Sequence, residues 1–160
     1  MSWDNLINEF KYYLKVERSL SNNTIEAYVR DVNKLSQFST ADNIKLKNVS
    51  RQIIQLFIAD LNKQSISARS QARIISSIKS FFKYLIMEDY IENDPSKLIQ
   101  NPKIGLKLPD VLTINEIDSI ISLIDLSSKQ GERNRTIIET LYSCGLRVSM
   151  IVLFLSPCFE

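Results

Sequence analysis

Apolar side chains recur at every third or fourth position along most of this 160-residue chain, the spacing that keeps them on one face of an α-helix. Trp3, Leu6, Ile7, Phe10, Tyr13 and Leu14 follow that spacing and predict a first helix over about residues 3–17. Ser21-Asn-Asn-Thr24 then offers several N-cap side chains, and Ile25, Tyr28, Val29, Val32 and Leu35 give a second helix its buried face. Residues 39–49 (STADNIKLKNV) are polar and irregular and read as a connection. Ser50 can cap a third helix that buries Ile53, Ile54, Phe57, Ile58 and Leu61. Ser65 or Ser67 can cap a fourth, which runs to about Met87. Asn93-Asp-Pro95 closes the region, because Pro95 has no amide to give a helix and disfavours a helical Asp94.

Between 100 and 112 the pattern stops. The segment QNPKIGLKLPDVL holds two Pro, one Gly and two Lys, and reads as an interdomain linker. Periodicity resumes at Thr113-Ile-Asn-Glu116, a capping box in which hydroxyl and carboxylate satisfy each other's free amides. Ile117, Ile120, Ile121 and Ile124 form the expected buried stripe of that helix. Another covers 131–143 with Ile137, Ile138 and Leu141, and Gly145 can end it. After residue 149 comes MIVLFLSPCFE, with no capping signal and no polar face. The expectation is an all-α chain: a four-helix unit over 1–99, a linker over 100–112, two helices of an incomplete second domain over 113–149, and an aberrant apolar tail over 150–160.

Composition narrows the chemistry. The chain has no His, so no imidazole base or ligand is available, and two Cys cannot build a metal cage or a disulfide framework. No metal and no cofactor is expected. No stretch approaches the roughly 20 apolar residues of a membrane span, and a reducing, cytoplasmic setting without a membrane partner is the expectation. The net charge is only +2, yet residues 1–110 carry sixteen Lys and Arg against twelve acids, while 111–160 carry four against six. A basic first part joined to an acidic second part hints at nucleic acid.

The fourth helix sharpens that hint. With Arg69 as origin and about 100° per residue, Ile74, Ile75, Ile78, Phe81, Phe82, Leu85 and Ile86 share one face. Arg69, Arg73, Ser76, Ser77, Ser80, Lys83 and Tyr84 share the opposite one, with no acid among them. Small hydroxyls between cations let a helix lie close to a DNA groove while Arg and Lys reach phosphates or base edges. The competing reading is a solvated bundle face. Asn23 and Thr24, at the start of the second helix, can meet a phosphate at its positive dipole end or simply belong to the cap. Arg30 can join them, or pair on the surface with Glu26. Arg147, after Gly145-Leu146, can grip a phosphate bidentately or be an ordinary surface Arg. Cys144 has no base to activate it and reads as a packing residue.

Taken in order, these segments resemble the tyrosine recombinases of the phage-integrase type, in particular their Xer-like bacterial members. Ser21-Asn-Asn-Thr24-Ile-Glu-Ala-Tyr28-Val-Arg30-Asp31 is similar to the family's S-x-x-T-x-x-x-Y-x-x-D segment. Ser67 to Arg73 and Phe81 to Leu85 resemble its fourth helix. Asn93-Asp-Pro95, the Pro-Lys linker and Leu141-Tyr-Ser-Cys-Gly-Leu-Arg147-Val-Ser149 follow, the last resembling L-Y-x-x-G-L-R-x-S-E. The resemblance covers residues 1–149. It implies a SAM-like, core-binding helical bundle and the start of a catalytic domain, clamped around double-stranded DNA, with other recombinase protomers as further partners.

On that resemblance, Asn23, Thr24, Arg30, Arg69, Arg73, Ser76, Ser77, Ser80, Lys83, Lys103 and Lys107 are the expected DNA contacts. Arg147 matches the first of two family arginines that hold the scissile phosphate. The family's nucleophilic Tyr, second Arg, hairpin Lys and His residues lie beyond this position. This chain has no His and no Tyr after Tyr142, and Met150 stands where the family has Glu. A DNA-binding part of a site-specific recombinase and integrase, truncated and inactive by itself in DNA recombination and integration, is therefore the expectation. Two alternatives stay open: a helical protein–protein interaction module without DNA binding, and a catalyst completed by a second chain.

Overall fold

The computed structural model describes residues 2–105 and 110–155. The described residues are helical, with no strand among them, and the chain divides into two compact units, Met1–Leu106 and Lys107–Glu160.

The first unit holds α1 (Trp3–Val16), α2 (Asn22–Ala41), α3 (Arg51–Lys63) and α4 (Ala68–Met87). Each begins on a serine. Ser2, Ser21, Ser50 and Ser67 each stand at the N-cap and accept from the amide three residues on, so the hydroxyl satisfies a donor the helix cannot. Of the two candidates for α4, Ser67 is the cap. Each helix gives one apolar face to a common core. Leu6, Phe10, Leu14, Val32, Leu35, Ile54, Leu61, Ile74, Ile78, Phe81 and Leu85 are all essentially removed from water. Phe81 is its aromatic hub, with Phe10 at 5.3 Å edge-on, Phe82 at 5.8 Å and Trp3 stacked at 6.1 Å between ring centroids.

The helix exits are less obvious from sequence. Glycine normally takes the left-handed residue that ends a helix, but the first unit has only Gly105. Ser19, Asn43, Ser65 and Asp89 take it instead, with φ of 47°, 56°, 56° and 56°. The residue after each one returns to the bundle: Leu20, Ile44, Ile66 and Tyr90 all pack on the core. Their amides bond back to the preceding helix, as in Ile66 N–H to the Leu61 carbonyl at 3.2 Å.

One segment departs from expectation. Residues 39–49 are not simply an irregular connection. The second helix runs on to Ala41, and a short 3-10 turn at Leu46–Asn48 lets Leu46 and Val49 reach the core. Beyond α4, Asp94 Oδ1 accepts from the Ser96 amide and hydroxyl at 2.7 and 2.6 Å. That turn buries Ser96 and brings Ile99 into the core, so residues up to 99 belong to the bundle.

The second unit holds α5 (Ile114–Ser122), α6 (Gly131–Cys144) and α7 (Val148–Leu155). The Thr113–Glu116 capping box is formed as expected. Gly145 ends α6 at φ 59°, ψ 27°. Gly131 lets the α5–α6 connection close up, since a Cβ there would lie 2.1 Å from the Asp125 carbonyl oxygen. The expected stripe of α5 is not buried as a stripe: Ile117 is, while Ile121 and Ile124 are half-buried and Ile120 exposed. Residues 150–155, within the 150–160 segment read as a tail without a polar face, belong to a third helix, α7, with Ile151 buried. Residues 156–160 lie outside the described residues.

Candidate nucleic-acid interface

Over its 20 residues, α4 carries Arg69, Arg73, Lys79 and Lys83 and no acid at all. Its apolar face is sunk in the core, which turns the rest outward. Arg69, Ser76 and Lys83 are exposed, and Lys79 and Ser80 half-exposed. Among the described residues only Arg73 of the four cations meets a carboxylate within ion-pair distance. Arg69, Lys79 and Lys83 thus present charge that no neighbouring acid cancels. Ser76 Oγ donates to the Ala72 carbonyl at 2.9 Å, so it lies flat on its own helix and leaves the surface between cations low.

One edge of the expected face is not on the surface. Ser77 is fully buried, and its hydroxyl donates to Asp31 Oδ2 at 2.9 Å. It therefore cannot line a groove. Arg73 NH1 donates to the same oxygen, and Asp31 is itself fully buried. This is the seam where α2 crosses α4. Tyr84, also placed on that face, is buried instead among Phe10, Tyr13 and Tyr90, with centroids at 5.6, 5.0 and 6.4 Å. Burial first, and then the nearby Glu9 carboxylate, push its hydroxyl up to about 12. Tyr90 donates to Glu9 Oε2 at 2.8 Å, and that bond raises its ionisation too.

With Ser77 buried against Asp31 and Arg73 tied to it at one end, the fully open strip turns to the other side of the helix. There it takes in Lys79, which the sequence reading left out. The signal was present: Lys79 stands three residues after Ser76 and four before Lys83, the spacing of one helix face.

The second helix supplies the remaining candidates. Asn23 is exposed. Thr24 is half-buried, its amide donating to Ser21 Oγ at 3.4 Å and its own hydroxyl bonded to that oxygen at 2.9 Å, so the capping reading holds there. Arg30 is exposed and forms no ion pair with Glu26 among the described residues. It lines a shallow groove with Lys11, Glu26 and Lys34. Lys103 is exposed, and Lys107 lies outside the described residues.

In the second unit, Arg147 is exposed in the elbow between α6 and α7, where its carbonyl accepts from the Met150 amide at 2.9 Å. Cys144 is exposed as well, not packed away as expected. No cluster of acidic or Cys side chains suited to a metal occurs among the described residues, and no described helix is long and apolar enough to cross a membrane.

A four-helix bundle with an acid-free cationic helix on its surface defines a class, and the sequence comparison agrees with it. Residues 7–89 match the phage integrase N-terminal SAM-like domain. The chain belongs to that family. Among curated relatives, tyrosine recombinase XerD of Staphylococcus aureus is 39% identical over 150 residues, which cover 93% of this chain and 51% of the relative. Tyrosine recombinase XerD of Staphylococcus epidermidis is 40% identical over 148 residues, covering 92% and 50%. The chain spans about half the length of these relatives. The resemblance to Xer-like tyrosine recombinases is thus borne out.

Proposed function

We propose that this chain is the DNA-binding portion of a site-specific tyrosine recombinase, and that it seats on a duplex half-site without cutting it. Residues 1–99 act as the core-binding domain, 100–112 as the linker, and 113–149 as the opening part of the catalytic domain. The observation that carries the reading is the open strip of α4. Arg69, Lys79 and Lys83 stand on a helix without a single acid and without ion-pair partners among the described residues. A solvated face would ordinarily interleave acids with its cations, whereas a phosphate-binding face gains from leaving them unpaired.

In this account Arg69, Lys79 and Lys83 hold backbone phosphates while Ser76 and Ser80 keep the helix surface low between them. Asn23, Arg30, Lys103 and Lys107 extend the contact, and Arg147 holds a phosphate in the second unit. These 160 residues offer no His and no Tyr beyond Tyr142 to act as the family's proton donors and nucleophile. Binding without strand cleavage is therefore the expected activity of this chain alone.

The test is fluorescence anisotropy of the full chain with labelled duplexes of about 30 bp at roughly 50 and 200 mM salt. Neutralising about five phosphates predicts a log–log salt slope of roughly −4 to −5. Absence of binding at the lower salt, or binding indifferent to salt, would contradict the reading.

A second reading, a helical protein–protein interaction module, rests on the exposed apolar side chains of the second unit, among them Val111, Leu123, Val148 and Val152. Concentration-dependent self-association together with no DNA binding would favour it.

A further inference from the structure

We propose that Asp31 is a positioning residue that presents Arg73 to a DNA phosphate. This inference rests on the DNA-binding reading above and adds a division of labour inside the α2–α4 seam. Asp31 is fully buried, and its Oδ2 accepts from both Arg73 NH1 and the Ser77 hydroxyl. Its Oδ1 is also buried and has no hydrogen-bond partner among the described residues. A carboxylate so placed is incompletely compensated. It holds tightly to the one cation within reach, because releasing that cation leaves a bare charge out of water.

Arg73 is held at one end only. Its side chain keeps 40% of its surface in solvent, and among the described residues its guanidinium bonds through NH1, to Asp31 Oδ2. A guanidinium has five N–H donors in a rigid plane, so fixing NH1 on Asp31 fixes where the remaining edge points. Arg73 itself stands one helical turn after Arg69 and three residues before Ser76, both exposed. An Arg already locked in place loses little rotamer freedom when it meets a phosphate. Ser77 is the second donor that keeps the carboxylate in place. Its single proton goes to the charged acceptor at 2.9 Å in preference to the Arg73 carbonyl at 3.1 Å.

The inference makes a prediction against simple electrostatics. Asp31→Asn removes an acid from a DNA-binding protein and makes the chain one unit more positive, which by charge alone tightens binding. Positioning requires the opposite: affinity for a 30-bp duplex roughly threefold to tenfold weaker, with a smaller salt slope by a little under one unit. Arg73→Lys separates presenter from strut. Lysine keeps the ion pair with Asp31 but has no second edge, so DNA binding falls about as far as in Asp31→Asn while the melting temperature stays near that of the parent. In an Arg73→Lys background, Asp31→Asn has no further effect on binding.

Tighter or unchanged binding by Asp31→Asn, or full affinity in Arg73→Lys, overturns the inference. If Asp31→Asn fails to fold, Arg73→Lys alone decides it. Arg69→Ala distinguishes the two levels of the account. Weakened binding there, with both seam variants unaffected, removes Asp31's role and leaves the DNA-binding reading standing. No binding by the parent chain at low salt overturns both.

Discussion

The two units are written in the same helical code but use it differently. In the first, twenty apolar residues from four helices, a 3-10 turn and the Asp94–Ile99 turn close on one core. In the second, α5, α6 and α7 carry comparable stripes, yet only Ile117 and Ile151 are buried among their described apolar side chains. Val111 and Leu123 keep more than four-fifths of their surface in water. Periodicity assigns a face to each helix. Burial needs a second face opposite it, and the four crossing helices of the first unit supply one where α5, α6 and α7 do not. The difference also bears on function. A well-packed bundle holds α4 still enough for a pattern of cations on its surface to have a fixed geometry.

The largest test of the contrast is in the cores. Phe81→Ala should lower the stability of the first unit by about 3–5 kcal/mol, followed by urea titration of Trp3 fluorescence, since Trp3 stacks on that ring. Ile120→Ala in the second unit should change amide exchange in α5 by less than about 0.5 kcal/mol. Equal losses at the two positions would erase the contrast.

Next is the seam. Arg73→Ala strands the buried Asp31 carboxylate and should cost roughly 2 kcal/mol, less than a fully buried pair because Arg73 is half in water. Loss of stability without loss of helical content would place the effect at the α2–α4 contact. No loss would mean that the ion pair contributes nothing to holding these helices.

A third test uses pH. Tyr84 ionises near 12 in the folded protein against about 10 in the unfolded chain. Between those values the unfolded state gives up the proton first, so stability falls as pH rises from 10 to 12, by about 1–2 kcal/mol. Tyr84→Phe should flatten that part of the profile, measured as melting temperature against pH. An unchanged slope would remove Tyr84 as its cause.

The smallest expected effect is at a helix exit. Ser65 sits at φ 56°, where glycine is unstrained, so Ser65→Gly should stabilise the first unit by about 0.5 kcal/mol. A loss of stability would show that the serine is held there by something beyond backbone geometry.

Much of this was legible in the residues. The Ser50 cap, the extent of α4, its acid-free character and the Thr113 capping box follow from short-range rules, and those rules operate within one helix. The failures share a cause. A helical wheel gives the angle of Ser77 and Tyr84 but not which angle a neighbouring helix covers. Asp31, fully buried on α2, covers the first, and α1 with its Phe10 and Tyr13 covers the second. The same covering displaced the open strip toward Lys79. The stripe on α5 failed for the converse reason, because its angle was right and no face opposed it. The helix exits were hidden because Ser, Asn and Asp occupy positions where a reader looks for glycine.

The central claim is that the open strip of α4 is the DNA-binding face. Its most direct test compares the salt dependence of duplex binding for the parent chain and for the double variant Arg69→Ala, Lys83→Ala. Both side chains are exposed and form no ion pair among the described residues, so the fold is left intact. The account predicts that the slope of log affinity against log salt becomes shallower by about two units, close to 0.9 for each phosphate contact removed. A slope that does not change, with binding otherwise retained, would place the interface elsewhere on the molecule.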